Sequence, residues 1–197
     1  MQREQALEVA GPAIDRVLAA QPRAVLAIDG RAASGKTTFA ALLAQRYNAA
    51  VIAMDHFFLP ADLRTDERYT QPGGAIHWER FLNEIAPNFC ALRHFSYRVF
   101  DCMAMDYMRR VAIPPAALVI VEGSYATHPY TAGLYDLRLF LTCDKITQHK
   151  RVLRRNGTAG AEAFYSRWIP LEEQYFAQCN IPNSTHIVLE TDNWREE

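Results

Sequence analysis

An open, mainly parallel α/β sheet of about five strands, with helices on both faces, is the fold this sequence predicts. Three observations carry it. Short apolar runs that suit strands buried on both faces recur along the chain, foremost Ala24-Val25-Leu26-Ala27-Ile28 and Ala117-Leu118-Val119-Ile120-Val121. Between such runs lie segments with helical hydrophobic spacing. The first run leads directly into Gly30-Arg31-Ala32-Ala33-Ser34-Gly35-Lys36-Thr37-Thr38, and then into Phe39-Ala40-Ala41-Leu42-Leu43-Ala44, which reads as a helix.

That order of strand, Gly-x-x-x-x-Gly-Lys-Thr and helix is the phosphate-binding loop in the setting the motif requires. The expected architecture is therefore a three-layer sandwich of the P-loop NTPase type. Gly30 and Gly35 permit backbone angles that a side chain would penalise, so successive N–H groups can turn inward around phosphate oxygens. The following helix adds its unpaired N–H groups and its positive dipole end. Lys36 is placed to reach the β- and γ-phosphates, and the Thr37 hydroxyl to bind Mg²⁺. Gly30, Ala32, Ala33, Ser34, Gly35, Lys36, Thr37 and Thr38 form the candidate nucleotide-binding set. A glycine turn that merely joined a strand to a helix would not need lysine and threonine at these places.

The other elements follow in order. Residues 3–20 put Leu7, Ala10, Ile14, Val17 and Leu18 on one stripe, an amphipathic helix that Gly11-Pro12 is expected to kink or split. After the loop and its helix (36–47) comes a short strand, Ala50-Val51-Ile52-Ala53-Met54, ending in Asp55. Residues 59–74 read as a long irregular polar loop, a length that suits a binding wall or lid. Helical spacing returns over 77–86 through Trp78, Phe81, Leu82 and Ile85. Residues 91–113 read as a hairpin insert, with Phe95, Tyr97 and Val99 on one strand and 107–113 on its partner. The strand 117–121 ends at Glu122, and another, 137–141, ends near Asp144. Asp144 can cap a helix that runs to Asn156, where Gly157 offers a left-handed exit. A helix over about 159–179 with a bend at Pro170, and a strand over 185–189, complete the chain.

Composition bounds the rest. A chain of 197 residues, half of them hydrophobic and 22% charged, fits a single domain spanning 1–197. A formal net charge of −1 supplies no basic field for nucleic acid or an anionic membrane. Cys90, Cys102, Cys143 and Cys179 are scattered without metal spacing, as expected of buried reduced thiols in a cytoplasmic protein. The first residues read as no signal peptide, and no apolar run approaches the roughly 18 residues of a spanning segment. A small-molecule partner is expected, with neither nucleic acid nor membrane, and a homo-oligomer remains compatible with the sequence.

In an open parallel sheet, ligands bind outside the carboxyl ends of the strands. Here three strands end in polar groups: the phosphate loop, Asp55 and Glu122. Phosphoryl transfer needs a phosphate cradle, a metal held by a hydroxyl and a carboxylate, a group that orients the acceptor hydroxyl, and positive charge for the transition state. Asp55 is the candidate base, also placed to touch a metal-bound water, although a strand-end turn carboxylate would occupy the same position. Glu122 joins Thr37 and Asp55 as a candidate Mg²⁺ group, with the same alternative. Arg151, Arg154 and Arg155 share a helix face. Arg151 and Arg155 are candidates for the transition-state charge and Arg154 for nucleotide contact, against the alternative of a solvated basic face. The histidines are isolated, and Trp78, Trp168 and Phe176 at helical spacing are expected in the core.

The chain resembles the uridine kinase and phosphoribulokinase branch of P-loop kinases, most closely small bacterial uridine-kinase-like proteins. The likeness runs over about residues 24–190. It rests on Ile28-Asp29-Gly30 into the loop, Met54-Asp55-His56-Phe57-Phe58, Gln71-Pro72-Gly73-Gly74 before Trp78-Glu79-Arg80-Phe81, Tyr97-Arg98-Val99-Phe100-Asp101-Cys102, Val121-Glu122-Gly123-Ser124-Tyr125 and the Arg151/Arg154/Arg155 helix. The resemblance implies ATP as donor with Mg²⁺, Asp55 as base for a sugar hydroxyl, Glu122 near the metal, and an arginine-bearing lid over about 151–170. It also implies an acceptor pocket in which the hairpin takes part, for which Arg64, Arg68, Tyr97 and Asp101 are the candidates beside Asp55 and Glu122. Two departures concern the acceptor. The hairpin has Cys102 where well-known uridine/cytidine kinases carry a pyrimidine-reading histidine, and no acidic residue precedes Pro72. The expected activity is ATP-dependent phosphorylation of a hydroxyl, most closely that of a nucleoside. The alternatives are another acceptor (a vitamin precursor, a sugar phosphate or an aminoglycoside-like compound) or a nucleotide-dependent switch. The guanine-reading Asn-Lys-x-Asp motif of a GTPase switch does not occur.

Overall fold

The structure, a computed structural model, describes residues 1–89 and 93–194. Cys90 and the first residues of the expected insert lie outside that range. In chain order the elements are α1 (Arg3–Ala20), β1 (Ala24–Gly30), α2 (Lys36–Tyr47), β2 (Ala50–Ala53), α3 (Asp66–Thr70), α4 (Trp78–Glu84), β3 (Phe95–Asp101), β4 (Asp106–Ile113), β5 (Leu118–Glu122), α5 (Pro129–Ala132), β6 (Leu137–Thr142), α6 (Lys145–Ala163), α7 (Ile169–Gln178) and β7 (Ile187–Glu190).

Five strands form one parallel sheet in the order β2-β5-β1-β6-β7, and β3 with β4 forms a separate antiparallel hairpin. All seven residues of β1 are buried, as a central strand covered on both faces requires. Alternate residues feed opposite cores. Leu26 and Ile28 pack with Ala6, Ala10 and Ile14 of α1 and with Phe39 and Leu43 of α2. Val25 and Ala27 face the other core, with Phe57, Phe81, Tyr97, Tyr175 and Phe176.

The register aligns the strand ends. Glu122 lies level with Ile28 of β1 on one side and with Ala53 of β2 on the other. Gly30 and Asp55 each follow two residues later. The chain leaves β1 toward β2 on one side of it and reaches β6 on the other, which is where an open sheet forms a crevice.

A single buried carboxylate ties this edge together. Asp29, fully buried at the end of β1, accepts from the Gly30 N–H at 2.7 Å, the Tyr125 N–H at 3.1 Å and the Thr127 N–H at 2.9 Å. It also accepts from the Thr127 and Tyr175 hydroxyls, each at 2.7 Å. The phosphate loop, the segment after β5 and helix α7 are thus fixed to one group.

Beside it, His128 stacks between Trp78 and Tyr175, and Arg68 lies over the far face of Trp78 at 3.6 Å. His128 donates from Nε2 to the Pro72 carbonyl at 2.9 Å, while its Nδ1 accepts from the Tyr130 N–H at 3.2 Å. Both bonds together require the neutral ring.

Local departures from expectation have local causes. Helix α1 runs unbroken through Pro12, which faces solvent, while Ala6, Ala10, Gly11 and Ile14 bury the opposite side. Packing there outweighs one lost backbone hydrogen bond. The polar stretch 59–74 contains a 3₁₀ turn at Ala61–Leu63 and α3, capped by the Thr65 hydroxyl. Asp144 caps α6, accepting from the Thr147 N–H at 2.8 Å. Gly157 breaks that helix with φ 66° and ψ 178°, and the chain re-enters helix at once. A π-helical turn, Phe164–Trp168, then carries it to Pro170 in the first turn of α7. The wider turn sits where the proline removes a helical donor.

Two outcomes test this frame. Replacing Asp29 by Ala strands two buried hydroxyls and three backbone donors, so urea unfolding should show a loss of about 4 kcal/mol. Burial holds His128, His56 and His186 below the ordinary histidine range. The unfolded chain protonates these rings near pH about 6.5 and the folded chain only below it, so stability is full above that pH and falls as pH drops through it. Melting temperature should therefore fall between about pH 7 and about pH 5.5, and less steeply in His128→Gln.

Candidate functional site

The crevice at the strand ends opens into a cleft of about 900 Å³. Its phosphate end is the loop of residues 30–38. A side chain at Gly30, where φ is 146°, would collide with the Leu141 backbone, so the loop turns there against β6. Gly35, at φ 92°, passes beneath the Trp194 ring, which a Cβ would meet at 2.8 Å. Lys36 folds back across the loop and donates to the Gly30 carbonyl at 2.8 Å and the Arg31 carbonyl at 2.9 Å. The ammonium thus stands within the ring of backbone that the motif wraps around phosphate. Ala32, Ala33, Gly35, Thr37 and Thr38 line the cleft beside it, and Ser34 is buried behind them.

Thr37, Glu122 and Asp55 meet in the same cleft. The Thr37 hydroxyl lies 3.2 and 3.3 Å from the two Glu122 carboxylate oxygens. Burial raises the Glu122 carboxyl above the usual range, the Asp55 charge raises it further, and Lys36 and the Thr37 hydrogen bond oppose this. One hydroxyl and two carboxylates offer oxygen donors only, a set that would suit a hard cation such as Mg²⁺. Among the described residues no group of three or more His, Cys, Asp or Glu side chains is placed to hold a metal ion.

The arginine helix crosses the phosphate end. Arg151, Arg154 and Arg155 all line the cleft. Arg151 also braces the fold: it donates to the Thr191 carbonyl at 2.7 Å, the Thr191 hydroxyl at 3.2 Å and the Trp194 carbonyl at 3.3 Å. Arg155 lies over the Phe164 ring at 5.1 Å.

Phe58, Phe164, Trp168, Tyr125 and Cys102 also line the cleft. Four residues expected to face an acceptor are held elsewhere. Arg68 forms a two-pronged pair with Glu79 at 2.7 and 2.9 Å, reaches the Gly74 and Ile76 carbonyls, and stacks on Trp78; it bolts the 65–79 segment together outside the cleft. Asp101 closes the hairpin turn, accepting from the N–H groups of Met103 and Ala104. Tyr97 is fully buried under the cleft. Its hydroxyl is 2.9 Å from His56 Nδ1, and burial pushes its phenol up to about 12. Arg64 donates to the Leu59 carbonyl at 2.7 Å and lies 3.5 Å from Cys102 Sγ, placing it behind the wall rather than in it.

One further expectation is met and another changes. Trp168 is half-buried: it packs against the core that holds Phe57 and Phe176, as expected, and its ring also lines the cleft. Cys102 is exposed rather than buried, while Cys143 is buried.

Sequence reasoning missed Trp194 and Glu172. Trp194 packs on Gly35 and on Phe39, centroids 5.7 Å apart, from a segment after the last strand that carries no motif. Glu172 did leave a signal. It sits four residues after Trp168 and three and four before Tyr175 and Phe176, a charge on an otherwise apolar helix face.

No family model and no curated protein matches the sequence. Among solved structures, the chain is similar to one described as a possible uridine kinase from Bacillus stearothermophilus, with a TM-score of 0.67 and 18% identity over 90% of this chain and 97% of that one. A candidate fructose transport system kinase from Silicibacter sp. TM1040 gives 0.59 and 21% over 86% and 91%. YFH7 from Saccharomyces cerevisiae, a candidate P-loop-containing kinase with a circular permutation, gives 0.63 and 13% over 99% of both chains. At these identities the likeness concerns the fold, which is that of P-loop kinase structures. In the described residues no helix is long and apolar enough to cross a membrane.

Lys36→Ala removes the charge at the centre of the loop. Calorimetric titration with a magnesium nucleotide should show affinity lowered about 10- to 100-fold, the cost of one lost charged hydrogen bond of about 1.5–3 kcal/mol.

Proposed function

We propose that this chain is an ATP-dependent small-molecule kinase that transfers the γ-phosphate to a hydroxyl, with a nucleoside as the acceptor class. One observation carries the reading. The loop lysine, the Thr37–Glu122 pair and Asp55 line a single cleft together with the aromatic side chains Phe58, Phe164 and Trp168. Such a cleft offers polar groups for a triphosphate and its cation, and aromatic rings for a flat acceptor.

In this reading the loop amides and Lys36 bind the phosphates, and Thr37 with Glu122 holds the magnesium ion. The ion neutralises charge on the phosphates when bound. Asp55 accepts the proton of the attacking hydroxyl and orients it in line. Arg151 and Arg155 supply positive charge to the phosphoryl oxygens and Arg154 contacts the nucleotide, while Arg151 also braces the backbone at Thr191. Phe58, Phe164 and Trp168 hold the acceptor and exclude water, which keeps hydrolysis slow relative to transfer.

A coupled ADP-release screen over nucleosides, sugars, sugar phosphates and vitamin precursors tests the acceptor. Release stimulated by nucleosides supports this reading, release stimulated only by another hydroxyl compound moves the acceptor class, and release indifferent to every hydroxyl compound leaves a nucleotide switch. Asp55→Asn should lower kcat about 10²- to 10⁴-fold, the usual contribution of a general base, while ATP affinity stays within about twofold.

A further inference from the structure

Glu172 lies in the floor of the cleft with 4% of its surface exposed. A carboxylate this deep requires partners. One oxygen accepts from the Ala32 N–H at 2.9 Å and the other from the Ser124 hydroxyl at 2.5 Å. The same group therefore bridges the loop after β1 and the loop after β5. Its neighbour Glu173 pairs with Arg31, so the first turns of α7 hold two successive residues of the phosphate loop.

The position of this contact matters. Ala32 belongs to the run of backbone N–H groups that the motif offers to phosphate oxygens. Ser124 is two residues beyond Glu122, so the carboxylate stands at the metal and acceptor end of the loop. That is the end at which the outermost, transferred phosphate belongs. A carboxylate oxygen and a phosphate oxygen are the same kind of anionic acceptor, and one N–H satisfies one of them at a time.

We propose that Glu172 determines specificity between nucleoside triphosphate and diphosphate: its carboxylate occupies the Ala32 amide that the terminal phosphate would take. A triphosphate must displace it, whereas a diphosphate seated on the inner amides leaves it in place. The displaced group belongs to the helix that directly follows the Phe164–Trp168 turn, so arrival of the third phosphate is coupled to the aromatic rings of that turn. This inference rests on the kinase reading above.

Glu172→Gln isolates the charge. Glutamine keeps an oxygen for the Ala32 N–H and a polar group for Ser124, so a purely structural role would leave nucleotide preference unchanged. Wild type and variant are titrated calorimetrically with the magnesium complexes of ADP and of a non-hydrolysable ATP analogue, with circular dichroism melts as the check on folding. The expected result is triphosphate affinity raised about tenfold in the variant, from removal of a like charge at an effective dielectric near 20, with ADP affinity moved less than about twofold. Equal shifts for both nucleotides, no shift, or weaker triphosphate binding overturns the inference while leaving the kinase reading intact. If neither protein binds any nucleotide, the kinase reading fails and this inference with it. Should Glu172→Gln not fold, Ser124→Ala, which releases one side of the bridge, is read by the same ratio.

Discussion

The hydrogen bonds to Asp29 are the constraint on which the rest of this structure depends. A carboxylate at the end of the central strand, out of contact with water, costs several kcal/mol unless its oxygens are filled. Five donors fill them, from the phosphate loop, the segment after β5 and α7. Each of these segments contributes to the cleft: Lys36 and Thr37 through the first, Ser124 and Tyr125 through the second, Glu172 through the third. The three walls of the site share one buried anchor.

Around that anchor the sheet topology does the positioning. Strand order β2-β5-β1 places Asp55, Glu122 and the phosphate loop on neighbouring strands, and parallel register levels their ends. Nothing long or flexible is needed to bring the base, the cation ligands and the lysine together. The hairpin is pinned by Arg80, buried beneath it, which donates to the His56 carbonyl at 2.8 Å and the Arg98 carbonyl at 2.9 Å and lies over Phe57. The helical segment 164–178 closes the other side.

Electrostatically the cleft is a balance of acids and bases. Glu122 and Glu172 both have carboxyls raised by burial, and both feel Lys36 pulling the other way. Removing cations from the phosphate end would leave carboxylates facing one another. The arginines of α6 set the opposite sign, and Arg151 shows that a cation can brace the backbone and line the site at once.

How much of this was legible in advance divides along one physical line. The strand–loop–helix, the apolar strands, the cap at Asp144 and the break at Gly157 depend on neighbours within a few residues, so the sequence by itself determined the fold class, the phosphate loop and the convergence of Asp55 with Glu122. Whether a polar side chain faces a ligand depends on which partner reaches it first, and that partner is usually distant in the chain. Arg68 is taken by Glu79 and Trp78, Asp101 by its own turn, and Tyr97 by His56. Glu172 and Trp194 arrive at the loop from more than a hundred residues away. Tertiary structure alone decided these assignments, because a buried charge goes where its hydrogen bonds can be made, and spacing along the chain does not record that.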